Sequence, residues 1–240
     1  MQFTTAALTH TGLVRRENED RFLNAPEIGL FAVADGIGGL PMGAEAAECA
    51  VKTLGALAHK AVVDVGTLNL AEAFNAVNRT VLALAEKLTP LTGLGCTLCA
   101  GIIRAGALQL ANVGDSRCYL FRTGMLNLLT TDDTVANEFE VRRAKGERIT
   151  MDERYRNALT RCIGQPTELD QQIFVHTLHE NDVLIFCSDG INRMISDADI
   201  LNRLLEGKPP ALTAEALIAD ALEAGGGDNA TCVVVRMDAL

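Results

Sequence analysis

Apolar residues fall along the chain in two rhythms. Between 68 and 88, Leu70, Phe74, Val77, Val81, Leu84 and Leu88 recur at intervals of three and four, which predicts a helix with one apolar face. A second helix is expected over 43–59, and two more over 197–206 and 213–224. Short apolar runs dominate elsewhere. Residues 2–9, 20–24, 28–34, 97–103, 107–113, 117–122, 126–129, 171–177, 182–187 and 230–236 read as strands. The run Ile28-Gly-Leu-Phe-Ala-Val-Ala34 is apolar almost throughout and predicts a buried strand. Ala105-Gly106 and Thr123-Gly124 supply turn residues between neighbouring strands. Residues 130–165 read as polar and irregular.

Strands and helices cluster rather than alternate. That order predicts an α+β fold with mainly antiparallel sheet. About ten strands are too many for one open layer, so two stacked sheets are expected. No linker, low-complexity stretch or fixed-period repeat divides the sequence, and 1–240 is expected to form one domain.

Charge narrows the function classes. Lys plus Arg is 21 and Asp plus Glu is 31, a net charge of −10, which argues against a basic groove for nucleic acid or anionic lipid. The longest uncharged run, 88–103, is broken by Pro90, three glycines and three threonines, so no membrane span is expected. The first residues lack a basic and then apolar leader, and Gln2 excludes N-myristoylation, which points to a soluble cytoplasmic protein. Seven cysteines is an odd count, and Cys99, Cys187 and Cys232 lie inside apolar runs, as reduced buried thiols do.

Candidate chemistry sits at the strand ends. A Gly-flanked aspartate adjoins an apolar strand four times: Phe31-Ala-Val-Ala-Asp35-Gly36, Leu110-Ala-Asn-Val-Gly114-Asp115, Leu184-Ile-Phe-Cys-Ser188-Asp189-Gly190 and Gly225-Gly-Gly-Asp228-Asn229. Glu19-Asp20 opens another strand. Rigid strands would hold these carboxylates at a common sheet edge, and glycine would free nearby carbonyls for coordination. Converging carboxylates repel one another and call for cations. Oxygen-only ligands select hard ions such as Mg²⁺ or Mn²⁺. The plain alternative, an Asp-Gly hairpin turn, fits poorly at Asp35 and Asp189, where helices are expected to follow.

With the flanking pieces Gly12-Leu-Val-Arg15-Arg-Glu-Asn18-Glu19-Asp20, Val33-Ala-Asp35-Gly36-Ile-Gly38-Gly39, Gly95-Cys-Thr97, Leu159-Thr-Arg161-Cys-Ile-Gly164 and Gly227-Asp228-Asn229-Ala-Thr231, the chain resembles the protein phosphatase 2C family in its compact bacterial form. The resemblance implies a central sandwich of two antiparallel sheets flanked by helix pairs. It implies a serine/threonine protein phosphatase that hydrolyses phosphomonoesters with water activated by two Mn²⁺ or Mg²⁺ ions. Asp35 would bridge the ions and position the water, with the Gly36 carbonyl on one ion. Asp189 and Asp228 would complete the other, and Glu19 and Asp20 would hold waters of the ions. Asp115, with Asp189, matches a weaker third-ion position. Arg15 matches the arginine that grips the substrate phosphate, while Arg16 is expected to be a surface charge. The implied partners are proteins phosphorylated on Ser or Thr, with an opposing kinase, and the implied state is a monomer. Two positions depart from the family pattern: Ile37 replaces a common histidine, and Asp132-Asp133-Thr134 replaces a common Asp-His pair. The 130–165 flap is expected to touch the phosphoprotein.

Cys187-Ser-Asp-Gly-Ile-Asn-Arg193 satisfies the Cys-x5-Arg loop of cysteine-dependent phosphatases. Asp189 inside that loop would repel a phosphate dianion, and a thiol ending an apolar strand stays neutral. A non-catalytic binding module of the same fold is a second alternative, opposed by the presence of Asp35, Asp189 and Asp228. Cys96-x-x-Cys99 places its thiols on opposite faces of a strand and predicts no metal knuckle.

Overall fold

A computed structural model describes residues 2–37, 42–64, 66–171 and 173–239. Gly38 and Gly39 of the quoted motif lie outside the described residues. The strands are β1 (Gln2–His10), β2 (Arg21–Ala25), β3 (Leu30–Ala34), β4 (Leu98–Arg104), β5 (Ala107–Val113), β6 (Arg117–Arg122), β7 (Met125–Leu128), β8 (Ile173–Thr177), β9 (Val183–Cys187) and β10 (Ala230–Ala239). They form two five-stranded sheets, ordered β1-β10-β9-β6-β7 and β2-β3-β4-β5-β8. Every pairing between them is antiparallel.

The strand period of two sorts the side chains into three apolar layers. Between the sheets lie Phe31, Val33, Leu110, Leu184, Phe186 and Val233. Their strand neighbours Leu30, Ala32 and Ala34 face the other way, toward helices α1 (Gly43–Val63) and α2 (Leu70–Leu88). Ile185, Cys187, Cys232 and Val234 likewise face outward, under a short helix α4 (Asp189–Asn192), α5 (Asp197–Leu205) and α6 (Pro210–Glu223). Strands covered on both faces read as continuous apolar runs, which is why β3 and β9 stood out in the sequence. Phe31 and Phe186 stack with centroids 6.3 Å apart. Gly101 admits that pair, since a Cβ there would lie 2.8 Å from the Phe186 ring.

Helix ends follow local chemistry. Asn69 caps α2 by accepting from Ala71 and Glu72 N–H groups. Ser196 and Asp199 form a reciprocal capping box on α5. Helix α6 begins three residues before the expected 213, because Pro210 suits the first helical position. The main correction falls in 130–165. That stretch is not wholly irregular: it contains α3 (Val135–Ala144) and a 3₁₀ turn, Glu153–Tyr155. Helix α3 buries none of its residues, so it has no apolar stripe to reveal it. Its signals are at its ends: Thr134 accepts from the Asn137 N–H, Glu138 lies in the first turn, and Arg142 and Arg143 lie in the last.

Candidate active site

The acid-bearing turns of both sheets meet at one cleft. Asp35 follows β3, Asp115 lies in the turn that carries the chain from β5 to β6, Asp189 follows β9, and Asp228 precedes β10. These four, with Arg15, Glu19 and Gly36, line a cleft of about 430 Å³. Asp20 is 1% exposed and sits behind it.

Two backbone clasps hold the turns. The Asp35 N–H donates to Thr97 Oγ1 at 3.0 Å, the Thr97 N–H donates to the Asp35 carbonyl at 2.8 Å, and Thr97 Oγ1 also meets Ser116 Oγ at 2.7 Å. This ladder ties the Asp35 turn to the Asp115 turn. On the opposite side Asn229 stitches the 11–19 loop. Its Oδ1 accepts from the Glu19 N–H at 2.8 Å, and its Nδ2 donates to the carbonyls of Thr11 at 2.8 Å and Glu17 at 2.9 Å. Gly190 presses on the same turn so closely that a Cβ would lie 1.8 Å from the Asn229 carbonyl oxygen.

The carboxylates differ in what meets them. Asp228 Oδ2 accepts from Arg15 Nη2 at 2.8 Å, and its Oδ1 accepts from the Asn229 N–H. Asp189 Oδ2 faces Arg193 Nη1 at 2.7 Å, and Asp115 Oδ2 accepts from Arg193 Nη2 at 2.5 Å. Asp20 Oδ2 accepts from Ser188 Oγ at 2.7 Å. Asp20 Oδ1 and Asp189 Oδ1 are buried without any partner.

Burial and mutual repulsion disfavour the ionised forms. Burial holds Asp35 well above the usual carboxylate range, and the charges of Asp20, Asp189, Asp115 and Asp228 add to the effect. Burial also pushes Asp20 up to about 7, against hydrogen bonds from Thr231 and Ser188, and pushes Asp115 up to about 6. Asp189 and Glu19 are raised by burial as well.

Among the described residues, no three His, Cys, Asp or Glu side chains stand grouped so as to hold one metal ion. The acids ring an open cleft with arginines between them. Their donors nevertheless suit hard divalent cations. All are oxygens, two are buried and orphaned, and their charges repel in the absence of a counter-ion.

Several contributors had no individual role assigned from the sequence, and Asn157 and Ala158 stood in no quoted motif. Asn157, Ala158, Leu159 and Cys162 wall the cleft from the flap, as Ile37 does from the Asp35 turn. Asp133 anchors that flap: it accepts from the Gly114 N–H at 3.0 Å and from the Arg161 guanidinium. Asp132 accepts from Arg117 through both carboxylate oxygens.

The rival cysteine loop is not assembled. Cys187 is 0% exposed in the layer under α5 and α6, and burial pushes its thiol far up. Arg193 turns to two carboxylates rather than toward the thiol. Cys96 and Cys99 face different apolar layers, as strand geometry requires.

A two-sheet sandwich with outer helices and an oxygen-rich cleft at the strand ends defines the sandwich-fold metal-dependent phosphatases. A family model described as Protein phosphatase 2C matches residues 14–223, and the chain belongs to that family. It is similar to the serine/threonine phosphatase stp of Listeria monocytogenes, with 31% identity over 238 residues, 96% of this chain and 94% of the relative. Among solved structures it is similar to the serine/threonine phosphatase PstP/Ppp of Mycobacterium tuberculosis, with 32% identity, 99% of both chains covered and a TM-score of 0.84. It is also similar to the catalytic domain of PstP in complex with two manganese ions, at 32% identity, 99% coverage of both chains and a TM-score of 0.83.

Proposed function

We infer that the chain is a metal-dependent serine/threonine protein phosphatase. The observation that carries this reading is the cleft in which Asp35, Asp189 and Asp228 converge beside Arg15. When bound, two Mn²⁺ or Mg²⁺ ions supply a water nucleophile near neutral pH and offset charge on the phosphoryl oxygens.

The chain's own groups hold and orient. Asp35 would hold both ions and the Gly36 carbonyl one of them, while Asp189, whose Oδ1 is buried without a partner, and Asp228 would complete the other. Glu19, in the cleft lining, and the buried Asp20 would hold waters of the ions. Arg15 offers the phosphate its guanidinium. Only Nη2 is engaged, by Asp228, and its Nε and Nη1 N–H groups have no partner among the described residues, so donors remain for the phosphoryl oxygens on either side of that contact. Arg15 also keeps Asp228 from repelling the incoming dianion. Ile37, at the cleft wall, carries no exchangeable proton.

Substrates on this reading are proteins phosphorylated on Ser or Thr, with an opposing kinase, and the chain acts as a monomer. The flap's Asn157–Leu159 segment, which forms one wall of the cleft, is placed to meet the phosphoprotein. A reducing, cytoplasmic setting suits seven free cysteines, five of them buried. No helix among the described residues is long and apolar enough to cross a membrane.

The test is hydrolysis of p-nitrophenyl phosphate and a phosphothreonine peptide. Activity should require Mn²⁺ or Mg²⁺, vanish with EDTA, and fall more than tenfold in Asp35→Asn. A folded Asp35→Asn protein that keeps over a tenth of wild-type turnover at saturating Mn²⁺ would overturn the assignment.

A further inference from the structure

Of the two signature residues of the rival Cys-x5-Arg motif, Cys187 is buried in the core and Arg193 reaches the cleft, on the acid side. Its two terminal nitrogens divide between two carboxylates. Nη2 donates to Asp115 Oδ2 at 2.5 Å and Nη1 meets Asp189 Oδ2 at 2.7 Å. These are the two residues that the family resemblance pairs at a third ion. We propose that the Arg193 guanidinium takes the place of that third divalent cation, so that this chain holds two ions and a fixed organic charge. The proposal rests on the two-ion reading given above.

Three observations make this more than a passing contact. Arg193 is anchored where it stands. It caps the single turn of α4 that begins at Asp189, and its backbone N–H donates to the Asp189 carbonyl at 2.9 Å. The guanidinium and the Asp189 carboxylate therefore rise from the same side of one helical turn. Asp115 is equally constrained. It is 5% exposed, and the preceding Gly114, at φ +102°, packs so tightly that a Cβ would lie 2.6 Å from Thr97. The oxygens of Asp189 are also divided. Oδ2 belongs to Arg193, and Oδ1 has no partner, which leaves a lone acceptor for the two-ion side.

Arg15 is the instructive contrast. It reaches Asp228 through one nitrogen, from a loop, with its side chain 42% exposed against 34% for Arg193. It can leave Asp228 for a phosphate. Arg193 has both arms committed, and its departure would strand two buried, mutually repelling carboxylates. A divalent ion entering between them would have to expel the guanidinium or sit against a like charge. Arginine also stays protonated across the working pH range, so this charge does not depend on the metal supply.

Equilibrium dialysis against Mn²⁺, with bound metal counted by atomic absorption, tests the proposal without reference to turnover. Wild type should bind two ions per chain up to millimolar free Mn²⁺. Arg193→Ala should bind three, and adding Asp115→Asn to that variant should return it to two. Asp115→Asn alone should leave the count at two, with affinities within about twofold. The proposal is overturned if wild type binds three ions and Asp115→Asn removes one, or if folded Arg193→Ala stays at two. Should Arg193→Ala fail to fold, Arg193→Gln, which removes the charge but keeps a donor to Asp115, takes its place with the same expected count of three. Failure of the underlying two-ion reading looks different: wild type would bind fewer than two ions, or Asp228→Asn would still bind two.

Discussion

Replacing Asn229 with alanine removes three side-chain hydrogen bonds from one residue that is 4% exposed. The Glu19 N–H loses its acceptor, and the carbonyls of Thr11 and Glu17 lose their donor. The backbone bond from the Asn229 N–H to Asp228 survives, so Asp228 itself is not directly freed. Each intramolecular hydrogen bond contributes about 1 kcal/mol net, which makes the loss roughly 3 kcal/mol. In a chain of this length, that corresponds to a fall in Tm of roughly 6–12 °C. Function should suffer separately, because the same three bonds fix the 11–19 loop that carries Arg15. A loosened Arg15 weakens phosphate binding, so KM on a phosphopeptide should rise with kcat less affected, and kcat/KM should drop roughly tenfold. Asn229→Asp should be worse than alanine. It keeps the acceptor but sets a carboxylate against two carbonyls and beside Asp228. Thermal unfolding and steady-state kinetics on both variants would check this, with Thr80→Ala, at an exposed helical hydrogen bond, as the control. A Tm within 1–2 °C of wild type for Asn229→Ala, with kcat/KM within about twofold, would refute the reasoning.

Arg15→Ala should lower kcat/KM roughly 10–200-fold, the worth of a charge-assisted phosphate contact, while Arg16→Ala changes little. Because the Arg15–Asp228 pair is partly exposed, its stability loss should stay within about 1 kcal/mol, and equal small kinetic effects from both arginines would move the phosphate site elsewhere. Cys187→Ser should destabilise by about 1–3 kcal/mol, since a hydroxyl replaces a buried thiol, yet keep Mn²⁺-dependent turnover. Complete loss of activity in a folded Cys187→Ser protein would revive the cysteine mechanism. Stability of the metal-free protein should depend on pH through the cleft acids. Burial raises Asp20 to about 7 and Asp115 to about 6, above their unfolded values near 3.8, so the folded state keeps protons that the unfolded chain has lost. That contribution is greatest at low pH and disappears as pH rises through 6 to 7. Bound Mn²⁺ replaces those protons, so the gain in Tm on adding Mn²⁺ should be larger at pH 7.5 than at pH 5.5. A gain that is equal at both values, or smaller at 7.5, would contradict it.

What could be seen in the sequence follows from where each residue spends its side chain. Strands buried on two faces announce themselves, as Leu30–Ala34 and Val183–Cys187 do. Aspartates that end such strands beside glycine were equally visible, and Asp35, Asp115, Asp189 and Asp228 come together at one cleft. Helix α3 was invisible to periodicity because it touches no core, although Thr134 and the terminal charges marked its ends. Asn229 stood inside a quoted motif, but its partners Thr11 and Glu17 lie more than 200 positions away, and only the pairing of β1 with β10 brings them near. The engagement of Arg193 was hidden for the same reason. Its distance from Asp115 is set by the β6–β9 pairing, not by local spacing.

That pairing of β1 with β10 has a further consequence for how the protein comes into being. Thr9 and Thr231 meet across it from 222 positions apart, and Arg15 meets Asp228 from 213 positions apart. A ribosome adding about 5–20 residues per second leaves Arg15 waiting roughly 10–40 s before Asp228 is made. Until then β1 has no hydrogen-bonding neighbour, since β10 is the strand it pairs with. Such distant closure also makes folding slow, because a long loop must be ordered before its contacts reward it. The nascent chain is therefore catalytically silent, and phosphate release begins only when the final strand slides between β1 and β9.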